Sequence, residues 1–193
     1  TLPKNQNLEI VNGDIRNIDL LNKTIKDVDN LIHLACISND PSFDLNPRLG
    51  RTINLDAFLP MLELCKERNF EKVIYASSSS VYGVKEEKNV HEDMSLEPLT
   101  DYSRFKADCE KILTEYQSEQ FTTVTIRPAT VCGFSPRMRL DISVNLLTIQ
   151  ALTKNKIKVL GGQQTRPNIN INDMIRVYDH FLNNPSLESG NYN

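Results

Sequence analysis

The sequence has little of what several protein classes need. Its 193 residues include four cysteines, which are widely spaced and contain no C-x-x-C pair. This spacing argues against a disulfide scaffold or a zinc site and is typical of a reducing compartment. The longest apolar runs are only as long as a strand, which excludes a membrane-spanning helix. The opening residues hold no apolar leader segment, so we expect a cytoplasmic protein.

Neither sign of charge dominates the chain. Lys and Arg number 22, Asp and Glu number 25, and the net charge is -3, so the cationic surface that nucleic acids require is not indicated. The three histidines are isolated, which predicts no metal site. We expect His33 to be a hydrogen-bonded histidine at the edge of a strand. With 39% hydrophobic residues, the chain is long enough for one domain with its own core.

Short apolar or β-branched runs alternate with longer stretches of helical period. The runs predict strands at residues 8–11, 30–35, 72–76 and 122–127. Apolar residues three and four apart predict helices at residues 55–66, 102–116, 143–153 and 173–183. Near-continuous apolar strands are typical of sheets covered on both faces. The alternation therefore predicts an α/β fold with a doubly wound parallel sheet.

A tyrosine and a lysine are spaced to share one face of a predicted helix. Tyr102 and Lys106 lie four residues apart, which brings their Cβ atoms to about 5–6 Å. A free tyrosine has a pKa of about 10, and a neighbouring ammonium lowers that pKa. The pair is therefore a candidate general acid and base. By itself the spacing also fits a solvated helix start with an extended lysine.

A run of serines strengthens the catalytic interpretation. Ser77 to Ser80 follow the predicted strand at 72–76 directly, and ligands of parallel α/β sheets bind at the carboxyl ends of strands. A polar, charged segment at residues 83–100 comes next and is predicted to be a long surface loop, a kind of loop that is often functional. The serines and the Tyr102–Lys106 pair together predict one site.

Several short segments together carry a more specific resemblance. They are Asn12-Gly13-Asp14-Ile15, His33-Leu34-Ala35, residues 75–83, Tyr102 to Lys106, residues 127–133 and residues 161–173. In sequence and order they resemble the NAD-dependent epimerase/dehydratase family of extended short-chain dehydrogenases/reductases, which act on nucleotide sugars. The resemblance covers nearly the whole chain and implies a Rossmann-type sheet.

The resemblance implies a role for each matching residue. The implied catalytic residues are Ser78, Tyr102 and Lys106. The implied NAD contacts are Asp14, Ile15, Leu34, Ala35, Asn54, Ala76, Tyr102, Lys106 and Pro128. The implied contacts to a nucleotide-diphosphate sugar are Ser38, Ser79, Thr130, Arg139, Asn145 and Arg166. The determinant that separates NAD from NADP is not in the chain, so NADP is not excluded.

The activity implied by the resemblance is nucleotide-sugar epimerisation through transient oxidation of a sugar hydroxyl to a ketone. A homodimer is implied with it. Ser79 and Ser80 stand where sugar 4,6-dehydratases carry an Asp-Glu pair, which argues against dehydration. A nucleotide-sugar reductase, a 4-dehydrogenase and a non-catalytic dinucleotide sensor are the alternatives.

The sequence also departs from the family pattern. It contains no G-x-x-G-x-x-G turn, which in the family binds the cofactor pyrophosphate. We therefore expect an internal fragment in which the first two strands are missing. Residues 1–133 would be a partial NAD-binding domain, and residues 134–193 a partial substrate-binding region interleaved with it. Such a fragment alone is expected to fold poorly, to bind no NAD and to be inactive.

Overall fold

The computed structural model describes residues 7–193 and confirms the parallel α/β fold. The strands are β1 (Asn30–His33), β2 (Lys72–Ala76), β3 (Thr122–Ile126), β4 (Thr130–Cys132), β5 (Asn168–Asn170) and β6 (Gly190–Tyr192). The main sheet has the order β1-β2-β3-β6, and β4 pairs with β5 in a second, two-stranded sheet. All of these pairings are parallel.

Seven α-helices and two short helical turns accompany the described strands. The helices are α1 (Ile18–Thr24), α2 (Asp40–Asp44), α3 (Pro47–Arg51), α4 (Phe58–Glu67), α5 (Asp101–Tyr116), α6 (Ser143–Lys154) and α7 (Ile171–Asn183). A π-helical turn spans Thr52–Asp56 and a 3-10 turn spans Ser79–Tyr82. No helix among residues 7–193 is long and apolar enough to cross a membrane.

The sheet is covered on both faces because its central strands alternate their side chains between two apolar cores. Val73 and Tyr75 of β2 pack with residues of α4 and α5, whereas Ile74 packs with Met174 and Phe181 of α7. In register, β2 pairs with β1 from Asn30↔Lys72 to His33↔Tyr75 and with β3 from Lys72↔Thr122 to Ala76↔Ile126. The carboxyl ends of these three strands therefore meet at one edge of the sheet.

A buried lysine joins β2 to the end of α7. The Nζ atom of Lys72 donates to the carbonyl oxygens of Phe181, Leu182 and Asn184 at 2.8, 3.2 and 3.1 Å. The last carbonyls of a helix have no partner within the helix and carry its negative dipole end, so an ammonium stabilises them. This contact fixes α7 against the amino end of the strand, opposite to the edge where the strands' carboxyl ends meet.

The strand predicted at residues 8–11 is wrong. The structure places no strand there, and Leu8, Ile10 and Val11 are 45%, 54% and 43% exposed. Among the described residues no strand lies on the outer side of β1, so this segment has no partner with which to form strand hydrogen bonds. An apolar run without a paired neighbour remains irregular.

The other predicted elements occur with shifted ends. Strand β2 has the predicted bounds, whereas β1 ends two residues early and β3 one residue early. The helix predicted to begin at residue 55 instead starts as the π-helical turn Thr52–Asp56. Pro60 has no N–H to donate to Asp56, so the regular ladder is interrupted before α4. The segment 83–100 contains neither helix nor strand, as predicted.

Candidate active site

The first turn of α5 is fixed by reciprocal hydrogen bonds. The Oγ1 atom of Thr100 accepts from the Ser103 backbone N–H at 3.2 Å, and the Ser103 Oγ accepts from the Thr100 N–H at 3.0 Å. A capping box of this kind satisfies N–H groups that the helix itself leaves unpaired. It therefore fixes the direction in which the side chains of Tyr102 and Lys106, one turn apart, project from the helix.

Lys106 is a buried ammonium at the end of β2. Its Nζ donates to the carbonyl oxygen of Ala76 at 2.5 Å and lies 4.8 Å from the centre of the Tyr75 ring. It lies 5.9 Å from the centre of the Tyr102 ring. Burial lowers the pKa of Lys106, while nearby Cys36 and Glu110 act in the opposite direction. The lysine is thus held against the strand end beside the tyrosine.

Tyr102 does not have the lowered pKa that its spacing from Lys106 predicts. Burial raises the pKa of Tyr102 above its usual value, and Cys36 and Asp40 raise it further. The Ser78 hydroxyl, through a hydrogen bond, and the Arg139 guanidinium lower it. The prediction considered only the nearest positive charge, whereas desolvation of the phenol is the larger effect here. Arg139, a predicted substrate contact, therefore lies near the phenol.

The Ser78 hydroxyl is oriented by the serines that follow it. Its Oγ accepts from the backbone N–H and the hydroxyl of Ser80, at 3.2 and 2.9 Å. The Ser79 N–H donates to the carbonyl of Pro128 at 3.1 Å, which ties this turn to the loop after β3. Gly83 ends the turn at φ +73°, where a Cβ would lie 2.2 Å from the Glu97 carbonyl oxygen. The run of serines is thus a structured turn that presents Ser78 to Tyr102.

A buried ionic network lies behind Ser78. Arg127 donates to Glu110 from Nε at 3.3 and 3.1 Å and from Nη2 at 2.8 Å. Its Nη1 donates to the Tyr82 hydroxyl at 2.7 Å and to the Glu92 carbonyl at 3.1 Å. The Ser77 hydroxyl donates to Glu110. These contacts connect the ends of β2 and β3 with α5 and with the loop at 83–100.

Sequence reasoning did not identify Glu110. The available signal was its position four residues after Lys106, which continues one helix face from Tyr102 through Lys106. A carboxylate on a face that must pack against a strand requires a buried cation, and Arg127 follows directly on β3. The sequence alone does not identify Arg127 as the partner of Glu110, because the two residues are 17 positions apart.

The loop after β1 is fixed by Asn54. Its Oδ1 accepts from the Ile37 N–H at 2.8 Å, and its Nδ2 donates to the Ile37 carbonyl at 3.0 Å. This buried asparagine therefore acts here by holding the loop that carries Leu34, Ala35 and Ser38. Ser38 itself is exposed.

An apolar cavity of ≈ 250 Å³ lies between β1 and the helices α1 and α4. Its walls include four residues at the end of β1 or before α1, namely Ile15, His33, Leu34 and Ala35. His33 is held by the rings of Tyr75 and Phe58, at 5.8 and 5.5 Å between centres. Within the described residues these aromatic contacts take the place of the hydrogen bond that we expected. Burial and the charge of Lys106 lower the pKa of His33 to about 4, so its imidazole is neutral.

Asp14 is already paired within the chain. Its carboxylate accepts from the Arg16 guanidinium at 2.5 to 3.1 Å, and this pair lowers the pKa of Asp14 to about 2. Arg16 also reaches the Thr52 hydroxyl at 3.1 Å. Asp14 thus remains ionised and accessible beside the cavity, with Arg16 as its neighbour.

The predicted substrate residues are distributed over several helices, strands and loops. Asn145 of α6 is buried, accepts from the Gly133 N–H at 3.1 Å and donates to the Arg139 carbonyl at 2.9 Å, so it shapes the loop 133–139. Arg139 pairs with Asp141 at 2.5 Å. Thr130 begins β4. Arg166 is exposed, and only its backbone carbonyl has a described hydrogen bond, from Asn168 at 2.9 Å.

The residues of this chain fit one end of a nicotinamide dinucleotide. The buried Lys106 ammonium and the Tyr102 hydroxyl are donors at a sheet edge where ligands of this fold bind. The apolar cavity of ≈ 250 Å³ lies along the neighbouring strand β1. The sequence holds no G-x-x-G-x-x-G turn for the pyrophosphate. The fit is therefore to the nicotinamide end.

A parallel α/β sheet with a serine, a tyrosine and a lysine converging at its carboxyl edge defines a short-chain dehydrogenase/reductase type of site. The model of the NAD dependent epimerase/dehydratase family matches residues 1–193, and the chain belongs to this family. The family is NAD-dependent, and structural neighbours of the chain have NAD bound.

Individual relatives are similar over most of the chain. An uncharacterized UDP-glucose epimerase of Bacillus subtilis is 34% identical over 168 residues, which is 84% of this chain and 52% of that protein. The structure of a UDP-N-acetylglucosamine 4-epimerase from Methanobrevibacter ruminantium M1 in complex with UDP-N-acetylmuramic acid has a TM-score of 0.83 and 28% identity, over 97% of this chain and 60% of the other.

A third relative has both ligands bound. The UDP-glucuronic acid 4-epimerase of Bacillus cereus, in complex with UDP-glucuronic acid and NAD, has a TM-score of 0.78 and 32% identity. The match covers 93% of this chain and 57% of that enzyme. The matches thus span 52 to 60% of the length of these three relatives.

Proposed function

We propose that this chain carries the catalytic part of an NAD-dependent nucleotide-sugar epimerase. The observation that carries the proposal is the placement of Tyr102 beside Ser78, with the buried Lys106 ammonium 5.9 Å from the tyrosine ring, at the carboxyl edge of a parallel sheet. The similarity of the chain to proteins named as UDP-glucose and UDP-glucuronic acid epimerases supports it.

Tyr102 is the proposed general acid and base. As phenolate it takes the proton of a sugar hydroxyl, and it returns the proton when the keto-sugar is reduced on its other face. The Ser78 hydroxyl donates a hydrogen bond to the same sugar oxygen and stabilises the carbonyl as it develops. Tyr102 and Lys106 would hold the nicotinamide end of NAD, and the chemistry that the cofactor would supply there is the reversible acceptance of a hydride.

Forming the phenolate requires positive charge close to Tyr102, because burial raises its pKa in this structure. Lys106 is one source, although its ammonium donates to Ala76. Arg139 is a second source and already lowers the pKa of Tyr102.

The proposed substrate is a nucleotide-diphosphate sugar. Arg139 and Arg166 are the guanidinium groups for its phosphates, and guanidinium geometry suits phosphate oxygens. In this proposal residues 1–133 carry the cofactor and catalytic groups, and residues 134–193 carry most of the substrate side. A cytoplasmic homodimer is proposed from the family resemblance alone.

Product analysis tests the proposal most simply. The full-length protein is incubated with UDP-glucose, UDP-galactose or UDP-glucuronate, without added NAD(H), and the products are identified by NMR. We expect the 4-epimer to form with no net change in nicotinamide absorbance at 340 nm. In a parallel incubation with added NAD, accumulation of NADH in step with an oxidised sugar would instead indicate a 4-dehydrogenase. NAD binding without turnover of any of the three sugars would indicate a sensor.

Arg166 provides a separate test of the substrate side. We expect Arg166→Ala to weaken binding of the UDP-sugar about 10- to 100-fold in calorimetric titration, because a charge-assisted hydrogen bond contributes about 1.5–3 kcal/mol. Arg176→Ala is the matched control, since Arg176 is an exposed arginine that pairs with Asp173 on α7. Equal affinity of both variants would assign Arg166 no part in binding.

A further inference from the structure

One face of α5 contacts three consecutive residues at the end of β2. Tyr102, Lys106 and Glu110 are each one helical turn apart. Tyr102 meets Ser78, Lys106 donates to the Ala76 carbonyl at 2.5 Å, and Glu110 accepts from the Ser77 hydroxyl. The residue that precedes Ser78 is therefore bonded to the same helix face that carries the proposed base.

Glu110 also connects the ends of two strands. Its carboxylate accepts from Ser77, which follows β2, and from Arg127, which follows β3. The Glu110 and Arg127 side chains are each 3% exposed. Arg127 in turn donates to Tyr82, at the other end of the turn that begins with Ser78. Both ends of that turn are thus fixed through one carboxylate.

The Ser77 contact is not needed to complete the sheet. The Ser77 N–H already donates to the Ile126 carbonyl at 2.8 Å, so the backbone is paired without its side chain. A buried ion pair is commonly no more stabilising than apolar residues of similar volume, because both charges lose their hydration. Here the Glu110–Arg127 pair instead fixes the orientation of the groups that it contacts.

We propose that Glu110 is a positioning residue, which sets the Ser78 hydroxyl relative to Tyr102 by holding Ser77 and Arg127 together. This inference rests on the proposed function, because only a reaction at Ser78 and Tyr102 gives their relative position a consequence. Neither Glu110 nor Ser77 touches the substrate in the proposal.

Two variants test the positioning role in the full-length protein, with UDP-glucose as the substrate. Glu110→Gln keeps the shape of the side chain and removes its charge. Ser77→Ala removes the hydroxyl that Glu110 holds and leaves the Glu110–Arg127 pair intact, so it remains informative if the first variant does not fold. We expect kcat to fall about 10- to 100-fold in each, with KM changed less than about threefold, since displacing a catalytic group by about 1 Å costs about this much.

Lys72→Met is the matched control. It removes another buried charge on β2, but from the end of the strand that contacts α7, so we expect a lower Tm with an unchanged kcat. A crystal structure of Ser77→Ala supplies a readout independent of activity, and we expect the Ser78 Oγ to be displaced from Tyr102. Wild-type kcat in Ser77→Ala together with an unmoved Ser78 would overturn the proposal. If the wild-type protein epimerises no UDP-sugar, the proposed function fails, while the position of Ser78 in the two crystal structures still decides the positioning role.

Discussion

Strands β1 and β2 lie side by side in the sheet, yet they differ in how the chain surrounds them. β2 pairs on both sides, and its first four residues are buried. β1 pairs on one side within the described residues, its first three residues are half-buried, and Leu34 directly after it is 57% exposed. The two strand sequences, NLIH and KVIYA, are both mainly apolar and do not explain the difference in burial. The elements that neighbour each strand determine how deeply it is buried.

The two regions also hold their polar groups differently. At the end of β2 the polar side chains are buried and bonded to one another, as in the contacts among Ser77, Glu110 and Arg127. Beside β1 the charged pair Asp14–Arg16 is exposed to solvent and the cavity is apolar. The proposed proton-transfer groups therefore lie among buried, mutually bonded side chains, whereas the proposed cofactor contacts Asp14, Leu34 and Ala35 lie on the exposed side, near β1.

The largest effect that distinguishes the regions is expected from the buried ion pair. Arg127→Met leaves the Glu110 carboxylate buried without its cation, and we expect a loss of about 3–5 kcal/mol in the free energy of unfolding. Urea denaturation measures it. The double variant Arg127→Met with Glu110→Met should recover most of the loss, because no unpaired charge remains. A single variant as stable as wild type would show that the network does not hold this region together.

The pH dependence of stability reports on the contact between the two regions, because His33 of β1 stacks on Tyr75 of β2. The pKa of His33 is lowered from 6.5 to about 4 in the folded protein. The unfolded chain therefore binds a proton between these pH values that the folded chain does not bind. The contribution of His33 to the free energy of unfolding should be fully present above pH 6.5 and fall by about 3 kcal/mol as the pH drops to 4.

His33→Phe isolates this effect from the carboxylates that titrate in the same range. The variant keeps an aromatic ring against Tyr75 and has no proton to bind. Urea denaturation of both proteins between pH 4 and pH 7.5 should show the difference between their unfolding free energies changing over the stated window. A constant difference would mean that His33 is not buried as described.

The smallest effect on the free energy of unfolding is expected from removing one methyl group at each of two isoleucines, one buried and one exposed. Ile74 of β2 is 0% exposed and Ile10 is 54% exposed. Ile74→Val should cost about 0.5–1.5 kcal/mol of unfolding free energy, whereas Ile10→Val should change it by less than about 0.5 kcal/mol. Equal losses at the two positions would mean that residues 8–11 are buried as a strand after all.

The sequence predicts the fold around β2 better than the fold around β1. The strand at 72–76 and the helix carrying Tyr102 and Lys106 are predictable because their apolar patterns face partners within the chain. The apolar run at 8–11 has the composition of a strand and lacks a pairing neighbour, which composition does not reveal. The short strands β4 and β5 escape prediction because three-residue segments carry too little pattern.

The candidate site divides in a similar way. The spacing of Tyr102 and Lys106 and the position of Ser78 after a strand place these groups together from the sequence. The direction of the Tyr102 pKa shift does not follow from spacing, because burial of the phenol outweighs a single neighbouring charge. The Glu110–Arg127 pair can be predicted only when the ends of β2 and β3 are known to meet.

The most direct test of the account is the turnover of Tyr102→Phe. The substitution removes one hydroxyl and leaves the ring, so the pocket and the affinity for a UDP-sugar should be retained. With UDP-glucose as substrate and quenched samples analysed by NMR, we expect kcat to fall by at least about 100-fold, because the general acid and base is lost. A Tyr102→Phe protein that epimerises within about threefold of the wild-type rate would contradict the assignment of Tyr102 as the proton-transfer residue.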